Sequence, residues 1–267
     1  MKTRFILIAF AFASSFAVAA PAAAAGESVF LDELTWTDVR DAVAGGRTTV
    51  IVPVGGTEQS GPHMALGKHN VRAHVLAGRI AAQLGNALVA PVVAYVPEVP
   101  VDATSGHMKY PGTISVPSDA FKAVLEGAAR SLRRAGFRDI VLVGDHGGYQ
   151  SELAAVAAKL NREWAATPAR VHFIAEYYRA GVEPYAQALR AHGLSDAQIG
   201  LHAGAADTSL MLAVDPRLVR ADRLGAAPAP GDGVSGDARP STAALGQLGV
   251  DLIVARCVNA IRRAVVR

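Results

Sequence analysis

Two glycine-rich polar runs follow directly on short apolar stretches and carry residue types suited to hydrolytic metal chemistry. The first runs from Gly55 through Glu58, Ser60 and His63 to His69, and the second is Gly144-Asp145-His146-Gly147-Gly148-Tyr149. A carboxylate and two imidazoles, here Glu58, His69 and His146, form a donor set for a zinc-like ion that leaves a position open for water. A third run, from His202 to Ser209, adds an imidazole and the carboxylate of Asp207, either of which has a group able to move a proton. Blander roles exist for each. Glu58 and Asp207 could cap helices, His146 could bond backbone in its turn, and His202 could be a satisfied core histidine. The glycines do not form a phosphate loop, because GxxxxGK[ST] is absent.

The elements that must position these side chains read as an alternation of strand and helix. Strands are expected at 48–54, 87–94, 139–143 and 170–175, and helices at 37–43, 71–84, 118–135, 150–166, 183–192, 205–214 and 241–267. Residues 95–116, with their prolines, read as loop or edge structure, and 225–240 as a surface loop or lid. The order predicts an α/β fold: three layers, with a mostly parallel central sheet between helices. Ligands in such sheets bind beyond the carboxyl ends of the strands, where both polar runs fall. Glu58, His69 and His146 can therefore converge although they are far apart in sequence.

The 267 residues are 51% hydrophobic and 18% charged, enough for a buried core and incompatible with disorder. A formal charge of +3, part of it on Lys2 and Arg4, is no footprint for nucleic acid. The single cysteine, Cys257, excludes an intramolecular disulfide and a cysteine-built zinc site. Lys2 and Arg4, the apolar run after them and Ala23-Ala24-Ala25 read as a signal peptide over 1–25. The expectation is Sec-type export to the bacterial periplasm or medium. A single mature domain of 26–267 follows, with no membrane association after cleavage.

Four motifs, in order, resemble the creatininase (creatinine amidohydrolase) family of metal-dependent amidohydrolases. The run from Pro53 to His69 resembles P-x-G-S-x-E-Q-H-G-P-H-L-P-L-x-T-D, and His107 to Ser115 resembles H-x-x-x-P-G-T-I-S. Gly144 to Tyr149 is similar to N-G-H-G-G-N with the asparagines replaced, and His202 to Ser209 to H-A-G-x-x-E-T-S with Asp207 at the glutamate. The resemblance implies a dinuclear centre, but Ser60 stands at its histidine and His69 at its bridging aspartate. Imidazole does not ordinarily bridge two cations, so the remaining set of Glu58, His69, His146 and, as a further candidate, Asp207 points to one Zn²⁺. Mn²⁺ or a second ion is the alternative occupancy. His202 and Asp207 are the catalytic candidates, while Ser60, His63, His107, Asp145 and Tyr149 are expected to line the pocket or orient ligands.

The activity so implied is hydrolysis of a non-peptide C–N bond, in a cyclic or linear amide, with a small molecule as substrate. Creatinine is disfavoured, since creatininases place tryptophans near the fourth motif and this chain has only Trp36 and Trp164, both elsewhere. Two alternatives are a non-catalytic metal- or small-molecule-binding protein on an altered site and a structural assembly subunit. The family's closed assemblies imply a homo-oligomer, with a hexamer among the states expected.

Overall fold

The computed structural model describes residues 28–266; the expected signal peptide lies outside the described residues. Four strands, β1 (Thr49–Val54), β2 (Ala87–Val89), β3 (Asp139–Gly144) and β4 (Arg170–Phe173), form one sheet in the order β2-β1-β3-β4. All the pairings are parallel, with Thr49 opposite both Ala87 and Asp139, and Asp139 opposite Arg170. β1 and β3 are buried along their whole length, as expected of central strands covered on both faces.

The alternation of side chains along these strands feeds two cores. Ile51, Val141 and Val143 pack on one face with residues of α2 (Lys68–Leu84), α5 (Glu176–Gly181) and α9 (Ala243–Val265). Val50, Val52, Ile140 and Leu142 pack on the other with residues of α3 (Ser118–Arg134) and α4 (Gln150–Glu163). The result is the three-layer α/β/α arrangement. α1 (Trp36–Ala44) leads into β1; α6 (Glu183–Ala191), α7 (Asp196–Ile199) and α8 (Ala205–Val214) complete the helices among the described residues.

Several boundaries differ from the sequence expectation. The strand expected over 87–94 stops at Val89, because Pro91 has no amide to donate; pairing resumes only as an isolated Val54–Val93 bridge. α2 begins at Lys68, three residues early, which places Lys68 and His69 in its first turn. α9 begins at Ala243, where the Thr242 hydroxyl accepts from the Leu245 amide at 3.1 Å. α9 is, among the described residues, the helix long and apolar enough to cross a membrane, yet Val250, Ile253, Val254, Cys257, Val258 and Ile261 are buried in the core. The loop at 225–240 is pinned to the run that begins at His202, its Ser235 amide donating to the His202 carbonyl at 2.8 Å.

Candidate metal and active site

β1 and β3 end side by side, so the loops after Val54 and Gly144 leave the sheet at one edge and deliver Glu58 and His146 to the same place. Tyr149 fastens them together. Its buried hydroxyl lies 2.9 Å from the Val54 carbonyl and 2.5 Å from that of Gly55, and it accepts from the His146 amide at 3.1 Å. The N-terminal end of α2 supplies Lys68, His69 and Arg72.

Glu58 is fully buried at the centre. Its Oε1 is 2.7 Å from His69 Nε2, 3.5 Å from Lys68 Nζ and 3.6 Å from His202 Nδ1. Its Oε2 is 3.5 Å from His146 Nε2 and 3.7 Å from His107 Nε2, and has no hydrogen-bond partner. Two triads thus share Glu58, one with His69 and His146 and one with His107 and His202, each with its donor atoms within 4.8 Å of one another.

Behind them runs a buried ionic network. His69 Nδ1 donates to Asp145 Oδ1 at 2.6 Å, while Arg72 Nε and the Tyr177 hydroxyl each donate to Asp145 at 2.8 Å. Asp207 accepts from Lys68 Nζ on one oxygen and from Arg72 Nη1 on the other, at 2.6 Å, and also takes the Ala203 amide at 3.1 Å. Asp207, expected as a further ligand or proton carrier, therefore stands outside both triads with each oxygen engaged.

These contacts set the charges. Burial opposes the charge on Glu58, but the His69 hydrogen bond and the positive charges of His69 and Lys68 outweigh it and hold the carboxyl well below the ordinary range. Burial likewise opposes ionisation of Asp207, and Lys68 and Arg72 overcome it. For His69, burial and Lys68 disfavour the proton, yet hydrogen bonds to Asp145 and Glu58 prevail and raise its pKa. His146 and His202 go the other way, each pushed down to about 4, first by burial and then by the charge of His69 and Lys68 respectively. Glu98, buried with Oε1 unpartnered 3.5 Å from His146 Nδ1, is pushed up to about 7 by burial and by Glu58.

The residues fit a cation. Glu58 presents a buried oxygen, Oε2, with no hydrogen-bond partner among the described residues, and the imidazole nitrogens of His146 and His107 face it. The Nδ1–H of His69 is committed to Asp145, so Nε2, which hydrogen-bonds Glu58 at 2.7 Å, is the nitrogen that would turn to an ion in the carboxylate–histidine arrangement common around metals. The site opens into a cleft of about 730 Å³ lined by Glu58, His107, His146, Tyr178, His202 and Asp207 among others.

Of the other sequence candidates, Asp145 and Tyr149 brace the histidines from behind. His63 is buried away from the cleft, 3.0 Å from the Thr208 hydroxyl, and Ser60 is buried with its hydroxyl unpartnered. The sequence reading missed Gln59, Lys68, Arg72 and Glu98. Lys68 and Arg72, four residues apart on the helix that carries His69, gave a spacing signal; Glu98 lies in a proline-rich loop and gave none.

Residues 32–261 match the family model described as "Creatinine amidohydrolase". The chain is 32% identical over 237 residues to a mycofactocin precursor peptide peptidase of Mycolicibacterium smegmatis, covering 80% of this chain and 84% of that protein. It is 30% identical over 203 residues to the creatinine amidohydrolase of Pseudomonas putida, covering 74% and 76%. A creatininase mutant superposes with a TM-score of 0.76 at 26% identity, over 90% of this chain and 100% of that one. Creatininase structures include a zinc–zinc form (TM-score 0.74, 28% identity, 90% and 99% coverage) and a manganese form (0.71, 28%, 89% and 99%). A match spanning nearly every described residue, on the same fold and with Glu58 and His146 of the shared motifs meeting at one sheet edge, makes this chain a member of the creatininase family of hydrolases.

Proposed function

We propose that the protein is a metal-dependent hydrolase of amide C–N bonds that holds one zinc-like ion on Glu58, His69 and His146. The observation that carries this is the buried, unpartnered Oε2 of Glu58 facing imidazole nitrogens. A bound ion of this kind supplies Lewis acidity, lowering the pKa of a water and polarising the scissile carbonyl. Glu58 keeps its charge to hold the ion, and Asp145 fixes the ring of His69. His202 turns Nδ1 toward Glu58 and is the proton carrier, taking the proton of the attacking water and passing it to the leaving nitrogen. Asp207 is unsuited to that role, because Lys68 and Arg72 keep it ionised. Lys68 also adds a fixed positive charge 3.5 Å from Glu58, which favours one ion over two.

The cleft is roomy for a single small ring and accepts a short peptide-like chain, in line with the peptidase relative. A non-peptide cyclic or linear amide is the second reading, supported by the creatinine amidohydrolase relative. Metal analysis of protein purified without chelator, followed by a substrate panel of short peptides, lactams, cyclic ureides and formamides, tests both. Two tightly bound ions per chain would refute the single-ion assignment, and binding without turnover across the panel would favour a non-catalytic receptor. The proposal includes an exported chain beginning at Gly26, motivated by Lys2, Arg4 and Ala23–Ala25. An intact Met1 on the functional protein, read by N-terminal sequencing, would exclude it.

A further inference from the structure

The side-chain amide of Gln59 stands between two imidazoles that face Glu58. Its Oε1 accepts from the Gly61 amide at 2.9 Å, and its Nε2 lies 3.0 Å from the Gly233 carbonyl. A flipped amide would lose both bonds, so its orientation is fixed. Nε2 is also 2.8 Å from His107 Nδ1 and 3.1 Å from His202 Nε2. An amide nitrogen has two hydrogens and cannot accept, so one of these three neighbours goes without. His202 Nε2 has another partner, the Gln59 backbone carbonyl at 2.8 Å, to which it must donate. The two amide hydrogens therefore go to Gly233 and His107.

We propose that Gln59 is a positioning residue that sets opposite roles for the two histidines: His107 presents an Nε2–H donor and His202 a free Nδ1 acceptor, both beside Glu58. The proposal rests on the hydrolase reading for its catalytic meaning. In hydrolysis a C–O bond forms from water and the C–N bond breaks. The proton lost by water goes to His202 Nδ1 and then to the leaving nitrogen, while His107 Nε2–H hydrogen-bonds the carbonyl oxygen and keeps its proton. His107 Nδ1 accepts, so Nε2 bears the hydrogen and is closed to a metal. His146 Nδ1 accepts from the Gly148 amide at 3.2 Å, so ligation through its Nε2 requires that bond to be given up and the ring proton to move to Nδ1, 3.5 Å from the Glu98 carboxyl. The loop at 225–240 takes part through Gly233, whose φ of +82° and lack of a Cβ let its backbone close on Gln59; a Cβ there would lie 2.1 Å from Gln59 Oε1.

Long-range ¹⁵N–¹H spectra of the ¹⁵N-histidine-labelled protein read the tautomers directly, with rings assigned from His107→Gln and His202→Gln. Both rings are expected as the Nε2–H form in the unmutated protein; an Nδ1–H form at either overturns the proposal whether or not a substrate is known. Gln59→Glu, which offers His107 no hydrogen, is expected to turn that ring to Nδ1–H and to lower kcat by about 10²–10³ with KM and metal content little changed, the cost of one lost oxyanion donor. An unaltered kcat with a switched ring overturns the assigned role. Should Gln59→Glu not fold, the spectrum of the unmutated protein still decides. Absence of turnover on every amide would sink the hydrolase reading and leave the tautomer result standing.

Discussion

Glu58 keeps a full charge out of contact with water because His69 and Lys68 lie within 3.5 Å of its Oε1, while Oε2 is left for a ligand. Removing that charge by Glu58→Gln should abolish metal retention, measured as ion per chain after gel filtration; full retention would remove Glu58 from the ligand set. The neighbouring Lys68 has a different task. It is buried against Asp207 and Glu58, and taking one partner from a buried ion pair leaves an uncompensated charge that typically costs about 3–5 kcal/mol. Lys68→Met should therefore lower the urea midpoint steeply, whereas Lys122→Met, whose pair with Asp119 is exposed, should leave it nearly unchanged. Equal effects of the two would mean that the buried network carries no more than a surface pair.

At the level of elements, α8 and α9 decide where Asp207, Thr208 and Ser209 sit. α9 lies so close to α8 that a Cβ on Gly246 would be 1.8 Å from the Ser209 carbonyl oxygen. The backbone must move to admit any side chain there. Gly246→Ala should cost about 1–3 kcal/mol of stability through overpacking and displace the Asp207 end of α8, seen as a lower thermal midpoint. Gly127→Ala, in the middle of α3 with open space around it, should instead be neutral or stabilising by about 0.5–1 kcal/mol. A milder effect at Gly246 than at Gly127 would contradict the close approach of the two helices.

Across the whole molecule the site makes stability depend on pH with opposing signs. His146 and His202 titrate near 4 when folded, below the ordinary value, so the stability they contribute is present above about 6.5 and lost as pH falls toward 4. Glu98 titrates near 7, above the ordinary value, so its contribution is present below about 4.5 and lost as pH rises through 7. In metal-stripped protein, Glu98→Gln should remove the second dependence alone, raising stability at pH 8 relative to pH 5 by up to about 3 kcal/mol. Unfolding curves at the two pH values check this; an unchanged difference would show that Glu98 is not held protonated near neutrality.

The layers, the parallel sheet and the meeting of Glu58 with His146 were legible in the sequence, because they follow from local pattern. Buried β-branched strands alternate with helices, and polar runs directly follow two strands that a parallel sheet must end on one side. His69 was expected to join Glu58 and His146, and it lies 2.7 Å from Glu58. The tertiary structure alone decided its partners. Asp145 and Tyr177 come from two other elements to fix its ring, and Lys68 and Arg72 reach across to Asp207, which the sequence left open between ligand, cap and proton carrier. Glu98 and Gln59 were invisible as site residues for the same reason. Their roles depend on groups distant in the chain, His146 for Glu98 and His107, His202 and Gly233 for Gln59. Periodicity and motif spacing report which face of an element a residue takes; the partner that fixes a charge or a proton is set by how separate elements close on one another.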